Sequence, residues 1–138
     1  MPRQISFEQA SAIVSACVAE AREVGQPMNI AVVDDSANLV AFASMDGTKL
    51  IGVDISQRKA LTAVYFQVDT RDLVPLVHPG APLYGIESTS EGRLVVFGGG
   101  VLLTAADGSV AGGVGVSAGA VEQDHQVADA GRKAYTGG

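Results

Sequence analysis

Apolar residues recur at helical spacing from Ala10 through Ile13, Val14, Cys17, Val18 and Ala21 to Val24, behind Ser6-Phe7-Glu8-Gln9, which has the S-x-x-Q form of a capping box. The pattern predicts an amphipathic first helix that stops at Gly25, with Pro27 barring its continuation. Met28 to Asp34 is almost continuously apolar, as expected of a strand covered on both faces. Leu39 to Met45 returns as a second strand after the turn residues Asp35-Ser36-Ala37-Asn38. Lys49 to Phe66 mixes periods, but its length and its Ala and Leu content favour a helix. Thr70 is placed to cap a short helix from Arg71, which His78-Pro79-Gly80-Ala81-Pro82 ends at the latest. From there to Gly92 the composition is that of a long loop, and loops of such length are often functional.

Arg93 to Phe97 and Val101 to Ala105 read as strands on either side of Gly98-Gly99-Gly100. Asp107-Gly108 then turns the chain into Val110 to Val116, and Val121 to Tyr135 closes it as a helix loosened by Gly131. The order α-β-β-α-α-β-β-β-α, with its runs of consecutive strands, predicts an α/β (α+β) fold: five antiparallel strands with helices packed on them. No internal repeat is visible, and the 138 residues read as one domain over 1–138.

Composition narrows the function more than it names it. The charge of -6, without any run of Lys or Arg longer than a pair, makes nucleic acid and anionic membranes poor partners. Cys17 is the only cysteine, so no internal disulfide or thiolate cluster is expected. With no apolar leader or run of roughly 20 apolar residues, the expected setting is the cytoplasm.

Three segments carry a family resemblance. Ala31-Val32-Val33-Asp34 with Met45-Asp46-Gly47, then Lys59-Ala60-Leu61-Thr62-Ala63, then Gly115-Val116-Ser117-Ala118-Gly119 with Glu122-Gln123-Asp124, together resemble the GlcG/HbpS-like family. That family also includes the C-terminal domain of PduO-type corrinoid adenosyltransferases. The resemblance implies a profilin-like, three-layer α/β/α domain around a five-stranded antiparallel sheet, and homo-oligomers. It implies a small-molecule ligand, with haem as the cofactor of some members, while other members sit beside catabolic genes. The chain departs from the common pattern at Ser44, where many relatives have arginine, at Leu102, where many have proline, and at Ala118, where many have glycine.

Candidate site residues follow from chemistry at these positions. Asp46, Lys59 and Thr62 match the family pattern, and Lys59 and Thr62 lie three apart on one helical face. A buried Lys59 could serve as a base or as the cation for a carboxylate, although an exposed helix lysine is the plainer reading. For Asp46 the plainer reading is a cap of the second helix. Gly98, Gly99 and Gly100 would let a flat ligand approach the backbone, or simply form a turn. Around Ser117 and Gly119 the chain passes from strand to helix, where N–H groups can receive an anion; the plainer reading is a Ser117 cap and a tight turn. His78 and His125 are the only histidines, each a candidate base or haem ligand, and Asp124 is a candidate acid beside His125. No metal site is identified from spacing. Pro2 would expose a prolyl amine after loss of Met1, but a helix cap follows where that chemistry needs a strand.

Three function classes remain: a ligand-binding oligomer, with haem as the leading ligand; an enzyme acting on a small carboxylate or aromatic catabolite through Lys59, His78 or Asp124; and a non-catalytic accessory subunit of a catabolic pathway.

Overall fold

The capping box closes as the sequence predicts. Ser6 Oγ accepts from the Gln9 N–H at 3.0 Å while Gln9 Oε1 accepts from the Ser6 N–H at 2.8 Å, starting α1 (Phe7–Val24). Gly25 ends it in the left-handed region, its N–H donating to Ala21 and Arg22 carbonyls. This is a computed structural model in which residues 3–135 are described; Pro2 lies outside them.

β1 (Asn29–Asp34) and β2 (Leu39–Ser44) form one antiparallel hairpin, and β3 (Gly100–Thr104) and β4 (Val110–Ser117) form another. An antiparallel β1–β4 ladder joins them in the order β2-β1-β4-β3. Asp34 Oδ1 fixes the first turn by accepting from the Ser36 and Asn38 N–H groups, both at 2.9 Å. Central β1 is buried at all six positions, which is why its sequence is continuously apolar. α2 (Ile51–Phe66) crosses from one hairpin to the other on one face of the sheet, while α1 and α4 (Val121–Lys133) pack on the opposite face.

The two faces are built differently. Towards α1 and α4, Ile30, Val32, Val114 and Val116 join Ile13, Cys17 and Val127 in the main core. Towards α2, β4 presents Gly113 and Gly115, and α2 lies directly on its backbone: a Cβ on Gly113 would come 2.6 Å from the Ala60 carbonyl oxygen, and one on Gly115 would run into the Ser56 carbonyl. The glycines therefore set how close the helix comes.

The sheet has four strands, not the five expected. Arg93 to Phe97 alternates as predicted, with Leu94 and Val96 buried in a satellite cluster with Leu73, but it joins no ladder. Its Val95 N–H donates to Thr62 Oγ1 at 3.0 Å, a side chain of α2. The free edge of β3, where a fifth strand would sit, is closed by side chains. Asp69 Oδ1 accepts from the Leu102 N–H at 3.0 Å, Thr70 Oγ1 accepts from the Gly100 N–H at 2.9 Å, and Arg132 reaches the Leu102 carbonyl. Period-two burial without neighbouring backbone is thus an extended segment, not a strand.

The segment after α2 also differs in detail. Thr70 opens a 3-10 turn, Thr70–Leu73, with Asp69 at its cap position, and one further turn, α3 (Val74–Val77), follows. The long loop contains short 3-10 turns at Ile86–Ser88 and Ser90–Gly92.

The close helix–sheet contact makes Gly115 intolerant of any side chain. Gly115→Ala should lower unfolding stability by about 3 kcal/mol, the upper end of ordinary overpacking, as measured by urea denaturation. A loss under about 0.5 kcal/mol would mean that α2 can move off the sheet freely.

Candidate functional site

The inner stripe of α2 that faces the sheet contains Gly52, Ser56, Ala60 and Ala63, and Lys59 belongs to it. Its side chain is completely buried. An ammonium taken out of water is tolerated only where other groups replace its hydration. Here Nζ donates to Asp124 Oδ2 at 2.8 Å and to the Val116 carbonyl at 2.9 Å, and lies 5.0 Å from the centre of the Phe97 ring. Gly99 provides the space: its φ is +126°, and a Cβ there would fall 2.5 Å from Nζ.

Asp124, in the first turn of α4, is equally enclosed. Its Oδ1 accepts from the Gly119 N–H at 2.9 Å. Burial pulls the Lys59 pKa down against the opposing charge and hydrogen bond of Asp124, and pushes the Asp124 pKa up against the same partner. One buried ion pair therefore ties α2, the end of β4 and the start of α4 together.

Next to it, Arg71, Gly98, Val121, Glu122 and His125 line a depression of about 260 Å³. Phe97, the neighbour of Gly98, is 41% exposed although it covers the Lys59 ammonium. His125 Nδ1 is buried and finds no partner among the described residues, which leaves Nε2 as the ring nitrogen a ligand can reach. Burial first, and the Arg71 charge second, lower the His125 pKa, so its ring is neutral at pH 7.

The expected site residues divide accordingly. Lys59, Asp124, Gly99 and Gly119 share one hydrogen-bonded or close-contact network, and Gly98 and His125 line the adjoining depression. Thr62 has a local duty: its hydroxyl donates to the Arg58 carbonyl at 2.7 Å and accepts from Val95. Gly100 admits the Thr70 hydroxyl, and its Cβ would meet the Lys59 carbonyl at 2.5 Å. Ser117 is buried at the end of β4 opposite Asn29 and does not cap α4, whose cap position is Ala120. The N–H groups of Gly119 and Ala120 are taken by the chain's own Asp124 and Gln123 side chains, so the helix start offers those donors to no anion.

His78 stays on the exposed loop, its Nδ1 3.1 Å from the Pro79 carbonyl, and does not line the depression. Asp46 is exposed and does not cap α2, whose cap position is Leu50. It lines a separate polar depression of about 390 Å³ with Ser44, Met45 and Arg22, so α1 brings a guanidinium to the place where Ser44 lacks one. Arg71, Phe97, Val121 and Glu122 were not expected here. The usable signal for Phe97 is a large apolar residue directly before three glycines, where a turn would favour a polar one.

The family described as haem degrading protein HbpS-like matches residues 5–133. The chain belongs to this HbpS-like family. It is 39% identical over 125 residues to an uncharacterized 15.0 kDa protein of Citrobacter freundii from the dhaT-dhaS intergenic region, covering 91% of this chain and 87% of that one. It is 37% identical over 125 residues to the corrinoid adenosyltransferase PduO of the same organism, and there it spans 37% of the relative's length. Among solved structures, the PduOC:heme complex superposes with a TM-score of 0.91 at 34% identity, over 97% of this chain and 96% of that one. These likenesses agree with the resemblance read from Lys59-Ala60-Leu61-Thr62-Ala63 and the Gly115 to Asp124 segment. No helix among the described residues is long and apolar enough to cross a membrane.

Two outcomes test the geometry of this HbpS-like site. Lys59→Met should destabilise by about 3–5 kcal/mol by leaving Asp124 buried and unpaired, while the double variant Lys59→Met/Asp124→Leu should regain most of that loss in thermal or urea unfolding. Equal losses in both would mean that the unpaired Asp124 charge is not what costs stability. Ala118 holds a φ of +99°, a region that strains any side chain, so Ala118→Gly should raise stability by about 1 kcal/mol in the same assay.

Proposed function

We propose that this chain binds a flat, conjugated small molecule in the depression beside the Lys59–Asp124 pair, and that the ligand is haem. The observation that carries the reading is the orphaned His125: its Nδ1 is buried without a partner among the described residues, and the residue lines a depression together with the side-chain-free Gly98. A neutral imidazole is the form that ligates iron. Val121 and Phe97 offer apolar surface for a macrocycle, and Arg71 is the cation for a propionate. At about 260 Å³ the depression falls below the roughly 300–1,000 Å³ of pockets that enclose whole ligands, so it would hold one edge of the ring and leave the rest at the surface.

The donor set thus fits haem: His125 would hold the iron, Phe97 and Val121 the ring, and Arg71 the acidic edge. Bound haem supplies redox and oxygen chemistry at iron. The chain's own contribution is to orient the ligand and to keep the imidazole neutral. The family description and the haem complex of PduOC support the same choice of ligand.

Acid–base catalysis by Lys59, His78 and Asp124 has weaker support. Lys59 and Asp124 are spent on each other beneath Phe97, and His78 lies away from them. A purely accessory role would leave the orphaned His125 without a purpose.

Adding haem to the purified protein should give a shifted Soret band at micromolar haem. His125→Ala should change the band position and weaken binding about ten-fold or more, and Phe97→Ala should weaken binding without changing the axial signature. His78→Ala should leave both unchanged. A spectrum identical to free haem would sink the proposal, and loss of the signature in His78→Ala alone would move the site to the loop.

A further inference from the structure

A second depression, which shares no lining residue with that of His125, opens between α2, the β1–β2 hairpin and the extended segment that starts at Arg93. It measures about 220 Å³, and Val33, Leu39 and Leu61 give it apolar walls. Leu39 is half-exposed, while Leu61 divides its surface between this groove and the satellite cluster of Leu73, Leu94 and Val96. Three charged groups, Asp54, Arg58 and Arg93, line the same groove. The chain itself holds both guanidiniums in place. Arg58 Nε donates to Asp54 Oδ2 at 2.7 Å and its Nη1 to the Gly92 carbonyl at 3.1 Å. Arg93 Nε donates to the Ser90 carbonyl at 2.9 Å and its Nη2 to the Tyr65 hydroxyl at 2.9 Å, with the guanidinium 5.5 Å from the centre of the Tyr65 ring. These partners of Arg93 are all uncharged, and it pairs with no carboxylate among the described residues. Arg58 Nη2 and Arg93 Nη1 have no hydrogen-bond partner among the described residues either.

Two fixed guanidiniums against one carboxylate leave the groove one positive charge in excess, in a chain whose net charge is -6. Arginine side chains already anchored by carbonyl and hydroxyl partners lose little further freedom on meeting a ligand. We propose that this groove is a second ligand site, and that its ligand is a small monocarboxylate with an apolar body. The carboxylate takes the unused Nη groups of Arg58 and Arg93, and the hydrocarbon lies on Leu39, Val33 and Leu61. A single negative charge matches the excess. A dicarboxylate or a phosphate dianion would set its second charge against Asp54 or on the apolar wall, where nothing pairs it. At about 220 Å³ the groove lies below the roughly 300–1,000 Å³ of sites for drug-sized ligands, so the apolar body is no larger than one ring or a short chain. The site stands apart from the haem reading, which uses other residues.

Benzoate is the probe, titrated into the full chain and followed by the arginine Nε–H and backbone N–H signals in heteronuclear NMR. Saturable shifts should centre on Arg58, Arg93 and Leu39, with a Kd of about 1 mM or tighter. Benzamide, which has the same shape without the charge, should bind about ten-fold more weakly, and inorganic phosphate should give no saturable shift at these residues. Arg93→Gln should weaken benzoate about ten-fold, and Leu39→Ser about three-fold through lost apolar contact. Asp54→Asn should strengthen it about three-fold, because the one opposing charge is gone. No saturable shift at about 10 mM benzoate, equal binding of benzamide or phosphate, or shifts confined to Arg71 and His125 would each overturn the proposal. If Arg93→Gln does not fold, the comparison of benzoate with benzamide on the wild type decides alone. The Soret titration of folded Arg93→Gln should match wild type, so a failure of haem to bind and a failure of benzoate to bind are separate results.

Discussion

The backbone of α2 lies on a strand that has no side chains to hold it away. Helix and sheet usually meet through interdigitated side chains, which keep their backbones apart. Along Gly113 and Gly115 that layer is missing, and carbonyls of Ser56 and Ala60 approach the strand directly. Everything on the inner stripe of α2 is consequently placed deeper than a helix residue would be. Lys59 reaches through the sheet's end to the Val116 carbonyl and to a carboxylate on α4 because its Cα already starts close to β4. The same proximity explains Gly99 and Gly100: any Cβ there would meet Lys59 itself.

A buried pair held this way serves position more than stability. Removing two charges from water costs about as much as their attraction returns, so a well-packed apolar pair could hold the fold equally well. What an apolar pair could not do is make three hydrogen bonds and a cation–π contact at once. Through Asp124 the pair takes the Gly119 N–H, which fixes where α4 begins, and the start of α4 sets where Val121, Glu122 and His125 stand. Through the Phe97 ring it also holds the segment that leads into the glycine bend. The depression is therefore bounded by two elements, and one ion pair positions both.

Much of this was legible in the sequence, for reasons that can be traced. α1 announces itself by a reciprocal cap and an unbroken 3.6-residue period, and β1 by an apolar run that only a doubly covered strand needs. The fifth strand was misread because burial alternation measures which side chains face inward, whereas a strand is defined by backbone partners. Here the Val95 N–H and the Phe97 carbonyl meet the Thr62 and Thr70 hydroxyls instead, which no periodicity reveals. The polar candidates fared unevenly for a similar reason. Lys59 and Asp124 lie 65 residues apart, and nothing local marks them as partners. Asp46 and Ser117 sit next to helices in sequence, but the helices start several residues later than a capping role would need. His125 could be named from its chemistry alone; the burial of its Nδ1 could not.

The two faces of α2 then answer to different constraints. The inward face must be small, because backbone lies against it, and it accepts a lysine only where a glycine, a carbonyl and a carboxylate replace water. The outward face carries no such restriction, and yet it keeps Leu50 and Ile51 exposed at the one end of the helix where polar residues would stabilise it. Neither the fold nor the site uses those side chains. A helix that is pinned to its sheet by glycines is a rigid platform, since it cannot rotate without driving its carbonyls into β4.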